Sequence, residues 1–232
     1  MQIDIITLFP EMFGGVFGES IIKRAIEKKI LEINFVQLRD FAFDKHRQVD
    51  DSPFGGGSGM VLKPEPVYRA VRSVLKNSDE NFSRKIIIPD PSGEVFNQKK
   101  AKELAKFNRL IFICGHYEGF DARIYDLADE IISIGDYVLT GGEIPVMAIV
   151  DSVARMLPNV LGSEESAVTD SFFNKILGFP QYTRPRDFEG KTVPEILLSG
   201  HHEKIKKWRE EQAMKITRER RPDLIEVEKW LD

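Results

Sequence analysis

At 232 residues, the chain is long enough for one large domain, or one main domain with a small appendage, around a sizeable core. Its 42% apolar and 30% charged content is that of an ordinary globular protein, and a formal charge of −4 excludes a surface basic all over while leaving room for a local basic face. The single cysteine, Cys114, excludes a disulfide framework and any multi-cysteine metal site.

Gln2–Phe9, rich in Ile, reads as a buried strand; with no basic residues ahead of it, no signal peptide is expected. Pro10-Glu11 opens a helical region, and Ile21, Ile22, Ala25, Ile26 and Ile30 recur at helix spacing over Ser20–Ile30. Leu31–Leu38 alternates as a strand. Asp40 to Met60 is a long polar segment ending in Gly55-Gly56-Gly57-Ser58-Gly59-Met60, and loops of such length inside compact domains are usually functional. Pro64–Lys76 is a helix with Val67, Ala70, Val71, Val74 and Leu75 on one face. Lys85–Ile88 is a strand, Asn97–Phe107 a helix, Arg109–Cys114 a strand, Asp121–Leu127 a short helix and Asp129–Ile134 a strand. Ile144–Leu157 has few polar positions and reads as a helix buried on most sides. Strands apolar throughout, alternating with helices, predict an α/β fold with a parallel sheet covered on both faces. No apolar run reaches membrane-spanning length, so no membrane partner is expected.

Three loops leave the carboxyl ends of predicted strands: Pro89–Gly93, Cys114–Gly119 and Ser133–Glu143. Ligands in parallel sheets bind there, and glycine lets backbone lie close to a ligand, so the three loops are expected to form one pocket. After Leu157 regular periodicity stops, and Pro158–Asp170 reads as a linker. A helical module follows, in which Lys204, Lys206, Lys207, Arg209, Lys215, Arg218, Arg220 and Arg221 outnumber Glu203, Glu210, Glu211 and Glu219.

The familiar phosphate signatures fail: Gly55–Met60 lacks the Lys-Ser/Thr of a P-loop and the last glycine of G-x-G-x-x-G. His46, His116, His201 and His202 have no zinc-site spacing. Asp151 and Arg155 stand four apart, the spacing of an intrahelical ion pair, and Asp170 in Thr169-Asp170-Ser171-Phe172 has the setting of a helix N-cap. Their neighbourhoods alone single out neither Arg155 nor Asp170 as catalytic.

Several longer segments carry more. They are Arg47–Met60, Gly115–Arg123, Ser133–Glu143, Asp151-Ser152-Val153-Ala154-Arg155, Thr169–Phe172, Tyr182-Thr183-Arg184-Pro185 and Leu197-Leu198-Ser199-Gly200. In this order they closely resemble the bacterial TrmD family, the tRNA (guanine-37-N1)-methyltransferases, and the likeness runs from Met1 into the last helices. The resemblance implies a SPOUT-class fold, an α/β parallel sheet with a deep trefoil knot plus a small helical C-terminal domain. Residues 1–160 would form the knotted domain, 161–174 a flexible linker and 175–232 a tRNA-binding domain. It implies a cytoplasmic homodimer that binds S-adenosyl-L-methionine through Pro91, Gly115, Tyr117, Ser133, Ile134, Gly135, Tyr137, Leu139, Gly141 and Gly142. Asp170 would be the general base, Arg155 would stabilise charge developing on the guanine, and Glu118 would be a further catalytic acid linked to Mg2+. His46, Asp50, Ser171, Lys206, Lys207 and Arg209 would meet tRNA carrying guanosine at position 37. The family pattern has arginine where this chain has His116, which leaves a side-chain role there open. Longer relatives would carry a further helix past Trp230. A related SPOUT enzyme acting on another RNA, and an RNA-binding protein without catalysis, are the rival readings.

Overall fold

The computed structural model describes residues 1–76, 82–162 and 169–226. The chain divides into two compact units, Met1–Gly162 and Ser163–Asp232. Residues 163–168 of the expected linker, and Trp230, lie outside the described residues.

The first unit is built on a five-stranded, wholly parallel sheet. Its strands are β1 (Gln2–Thr7), β2 (Glu32–Gln37), β5 (Arg84–Val95), β6 (Arg109–Ile113) and β7 (Glu130–Ser133), in the order β2-β1-β6-β5-β7. A short hairpin of β3 (Asp50–Asp51) and β4 (Val61–Leu62) stands beside it. The helices are α1 (Gly14–Phe17), α2 (Ser20–Glu27), α3 (Pro64–Lys76), α4 (Gln98–Leu104) and α5 (Glu143–Ala154). Successive strand residues point to opposite faces, which explains why the strands read as apolar throughout. Leu110 and Phe112 join Ile3 and Ile5 against α2, α4 and α5, while Ile111 and Ile113 join Ile6 and Ile88 against α3.

One charged pair is built into this core. Arg109 Nε donates to Asp4 Oδ2 at 2.6 Å, with both side chains about 95% buried, and its Nη2 donates to the carbonyl of Val74 at the end of α3. Lys100 on α4 holds Glu94 of β5, Glu103 of its own helix and Glu130 of β7 at 3.2–3.3 Å. Desolvation alone would lower the Lys100 ammonium, but these carboxylates push it up to about 12.

One expectation needs correction. Pro89–Gly93 is not a loop after a strand but lies inside β5. Pro89 and Glu94 both register against Ile132, so residues 90–93 bulge out of the ladder and the strand resumes. Pro89 and Pro91 have no N–H to give the ladder, which favours such a departure. Helix α5 buries Pro145, Val146, Ile149, Val150, Val153 and Ala154, as its composition predicts, and leaves one stripe of Ile144, Ala148 and Asp151 exposed. The segment Ala122–Leu127 is a 3-10 turn capped by Asp121, which accepts from the Arg123 amide at 3.0 Å.

The second unit holds α6 (His202–Arg220) and α7 (Asp223–Glu226). It also contains a two-residue-per-strand hairpin, β8 (Asp187–Phe188) and β9 (Lys191–Thr192), which the helical reading of this region lacked. Thr217 of α6 is fully buried; its hydroxyl donates to the Ala213 carbonyl at 2.7 Å and accepts from the Leu177 amide at 3.0 Å, pinning the incoming segment to the helix. Among the described residues, no helix is long and apolar enough to cross a membrane.

Candidate active site

The bulge of β5 and the loops after β6 and β7 enclose a cavity of about 170 Å³, roughly ten times the room one water needs. Pro91, Gly115, Tyr117, Ser133, Ile134, Gly135, Tyr137, Leu139, Gly141 and Gly142 all line it, as does Glu118. Three segments of the chain, around residues 89–91, 115–120 and 132–145, therefore meet in one place, at the carboxyl end of the sheet.

The walls are held by backbone. Gly142 donates to the Gly115 carbonyl at 2.9 Å, and His116 and Gly141 pair as an isolated antiparallel bridge. A Cβ on Gly142 would stand 2.8 Å from both Cys114 Cα and Gly115 N, so only glycine lets these loops touch. Tyr117 sits at φ +61°, a conformation that costs a non-glycine residue free energy. Ser133 Oγ donates to the Gly135 carbonyl at 3.1 Å and accepts from its amide at 3.2 Å, while the Tyr137 hydroxyl donates to the Ile134 carbonyl at 3.2 Å.

The polar lining has some members that sequence reasoning missed. Asp90 accepts from the Ser92 hydroxyl at 2.6 Å, the Ser92 amide at 2.9 Å and the Tyr125 hydroxyl at 2.8 Å. Burial would raise its carboxyl, but these donors outweigh burial and hold it below the ordinary value. Burial, and then the hydrogen bond to Asp90, raise the Tyr125 phenol. Behind the cavity, buried Glu143 opens α5 and accepts from the Thr7 hydroxyl at 2.7 Å. Cys114 is fully buried beside it; desolvation, then the Glu143 charge, push its thiol well up, so it is a poor nucleophile. His116 packs edge-on between Phe9 and Tyr117, at 4.9 and 4.8 Å between ring centroids. Its Nδ1 is buried without a hydrogen-bond partner in a cavity wall. The alternation of glycine and aromatic residues in 114–120 was the available signal for that wall; nothing in the sequence marked Asp90 or Glu143.

The glycine-rich hairpin tip is tied to this wall. The amide of Glu118 donates to the Met60 carbonyl, that of Leu62 to Gly119 and that of Asp121 to Leu62, each at 3.0 Å. The Glu118 side chain lies against Gly59, which is at φ +83°. His46 is exposed on the turn where Asp44 accepts its amide at 2.9 Å, and Asp50 pairs with Leu62 on β3; neither lines the cavity.

Arg155 caps α5 through its amide, which donates to the Asp151 carbonyl at 3.2 Å, and it does not line the cavity. Asp170 belongs to the second unit. It opens no regular helix, because residues 169–176 run as turns and bends. Asp170, Lys206 and Arg209 line one recess of that unit. Ser171 Oγ accepts from the Gly178 amide at 2.9 Å. Lys207 lies outside that recess, 3.9 Å from Glu211 on the same helix.

A sequence profile described as tRNA (Guanine-1)-methyltransferase TrmD matches residues 1–227. Curated relatives are close. The tRNA (guanine-N(1)-)-methyltransferase of Shouchella clausii is 56% identical over 225 residues, 97% of this chain and 91% of that protein. The enzyme of the same name from Dictyoglomus turgidum is 57% identical over 226 residues, 97% and 90%. That from Geobacillus kaustophilus is 56% identical over 227 residues, 97% and 92%.

Proposed function

The chain belongs to the tRNA (guanine-1)-methyltransferase TrmD family of enzymes, and from that membership we propose that it methylates N1 of guanosine 37 in tRNA, with S-adenosyl-L-methionine as donor. The observation that carries the donor assignment is the single cavity that gathers the ten backbone-led positions from Pro91 to Gly142. Its residues fit such a ligand. The glycine contact at Gly142 holds the two cavity loops together without side-chain bulk, and the buried Nδ1 of His116 offers a polar atom in need of a partner. When bound, the donor supplies an electrophilic methyl on a sulfonium.

The substrate dictates the rest. Guanine N1 carries a proton at neutral pH, so a base must stand within hydrogen-bond reach before a methyl can be accepted. Asp170 takes that role. As the proton leaves, negative charge gathers on O6, and the Arg155 guanidinium stabilises it. Ser171 helps hold the target base. Lys206, Lys207 and Arg209 meet RNA phosphates, and His46 and Asp50 meet the guanine or its neighbour. Among the described residues no three His, Cys, Asp or Glu side chains cluster as a metal cage. Glu118 is the carboxylate through which Mg2+ would assist, since a hard cation prefers carboxylate oxygen.

The loops around the cavity form the trefoil knot in this reading, supported by the return of residues 141–142 onto 115–116. The working enzyme is a cytoplasmic homodimer in which Asp170 and Ser171 complete a site that takes its donor from the other subunit. Exposed Val138 and Ile144 beside the cavity are apolar surface that a second copy would cover.

The test is methyl transfer from S-adenosyl-L-methionine to tRNA transcripts with guanine or adenine at position 37. Labelling of the guanine transcript alone is expected, and equal labelling of both would refute the assignment. Asp170→Asn should abolish turnover with donor affinity retained; loss of donor binding would remove Asp170 from the role of base.

A further inference from the structure

Two recesses of the second unit flank the start of α6, and they share Phe179, Ile205 and Arg209 as a common wall. One contains Asp170 and Lys206. The other, of about 430 Å³, takes in Tyr182, Arg184, Arg186 and Trp208, and nothing proposed so far uses it. Its chemistry is distinctive. The Tyr182 and Trp208 rings stand 6.4 Å apart at 52°, with Tyr182 half exposed. The Arg209 guanidinium lies 4.9 Å over the Phe179 ring. No carboxylate lines the recess. Arg186 is paired with Glu195 at 2.7 Å, whereas Arg184 and Arg209 make no ion pair with any described residue. Flat apolar rings beside uncompensated guanidiniums suit a planar base that carries a phosphate: the rings stack on the base and the guanidiniums meet the phosphate oxygens. An aliphatic ligand would leave the two guanidiniums unmatched, and a lone anion would leave the rings unmatched.

We propose that this recess seats a second unstacked nucleotide of the same RNA strand whose target guanine lies at Asp170, with its base on Tyr182 and Trp208 and its phosphate on Arg184 and Arg209. The shared wall makes the two recesses neighbours, so a strand leaving one passes Arg209 to enter the other. This rests on the tRNA methyltransferase reading above. It adds a sequence-tolerant anchor, because every base has a face to stack.

Two variants of the full chain separate the base from the phosphate. Tyr182→Leu should weaken tRNA binding roughly tenfold with an unchanged salt slope. Arg184→Gln should weaken it and flatten the slope of log K against log salt by about one. Tyr182→Phe keeps the ring and should bind as the parent does, which guards against a folding defect in the leucine variant. In a Trp230→Phe background Trp208 is the sole tryptophan, and saturating tRNA should quench its fluorescence. A free nucleotide offers the same chemistry. If 5′-GMP alone quenches Trp208 at micromolar concentration and tRNA does not displace it, the recess serves a free nucleotide and the RNA assignment falls. Tyr182→Leu and Arg184→Gln both binding tRNA within about twofold of the parent, with Trp208 unquenched, would overturn the proposal. Labelling of guanine-37 transcripts by the parent in that same case would leave the methyltransferase reading standing.

Discussion

Gly142→Ala isolates how far the cavity depends on backbone contact. Gly142 has φ −80°, which alanine adopts freely, so the change carries no dihedral strain and its cost is steric. The new Cβ would stand 2.8 Å from Cys114 Cα and from Gly115 N, where ordinary contact begins near 3.4 Å. The two loops must therefore part by roughly 0.6 Å, the difference between those distances. Overfilling of this kind costs about 1–3 kcal/mol. The 2.9 Å hydrogen bond from Gly142 to Gly115 spans the same gap, and stretching it forfeits part of a further ~0.5–1.5 kcal/mol. At roughly 2–4 °C per kcal/mol for a chain of this size, the melting temperature should fall by about 2–18 °C. Because the loops being parted line the cavity, affinity for S-adenosyl-L-methionine should fall about tenfold or more, ~1.4 kcal/mol. Thermal unfolding and titration calorimetry read the two effects. Gly15→Ala is the control: a Cβ there meets nothing within 4 Å, and neither measurement should worsen. A Gly142→Ala protein that melts within about 1 °C of the parent and binds the donor equally well would refute the argument that the loops must touch.

Three further outcomes are expected. Asp4→Ala leaves the Arg109 guanidinium buried without its carboxylate and should cost about 3–5 kcal/mol in denaturant unfolding; a loss under about 1 kcal/mol would mean that water reaches Arg109. The Asp90 carboxyl in the fold lies below its ordinary 3.8, so its stabilising contribution is complete above that value and fades as pH falls through the lower folded value. Asp90→Asn should therefore be less stable than the parent at neutral pH, with the gap closing in acid; a gap that widens in acid would reverse the sign. Lys206→Glu combined with Lys207→Glu should weaken tRNA binding most at low salt, since each lost phosphate contact removes about 0.9 from the salt slope on duplex regions; an unchanged slope would take that face of α6 away from RNA.

The parallel sheet was legible because its strands are buried on both faces, so Leu110–Ile113 reads as an unbroken apolar run and Ile3–Ile6 as one interrupted only by Asp4. The helices were legible from periodicity, though α2 stops at Glu27, short of the apolar pattern that continues to Ile30. The resumption of β5 at Glu94 was not legible, because strand patterns carry no record of which partner a residue rejoins after a bulge. Long-range backbone ties were equally hidden. No residue type at Met60 or Glu118 announces that the hairpin is bonded to the cavity wall, since a peptide group looks the same in every residue. The cavity's glycines could be found, because missing side chains leave a trace in sequence. Asp90, Glu143 and the Tyr182–Trp208 recess could not, because single polar or aromatic residues have many uses and only geometry selects one.

The strand order has a consequence for how the chain is made. β6 lies between β1 and β5, so within the sheet it joins the β1–β2 pair to the β5–β7 pair. β1 and β2 are synthesised by Gln37, yet the strand that covers the other edge of β1 begins at Arg109. At roughly 5–20 residues per second, the ribosome needs about 4–14 seconds to cross that interval. Throughout it, Ile3, Ile5 and Ile6 present an unpaired parallel edge, the kind of template on which nascent chains pair wrongly. The sheet edge at β1 is closed only when Leu110–Ile113 emerges to pair with it.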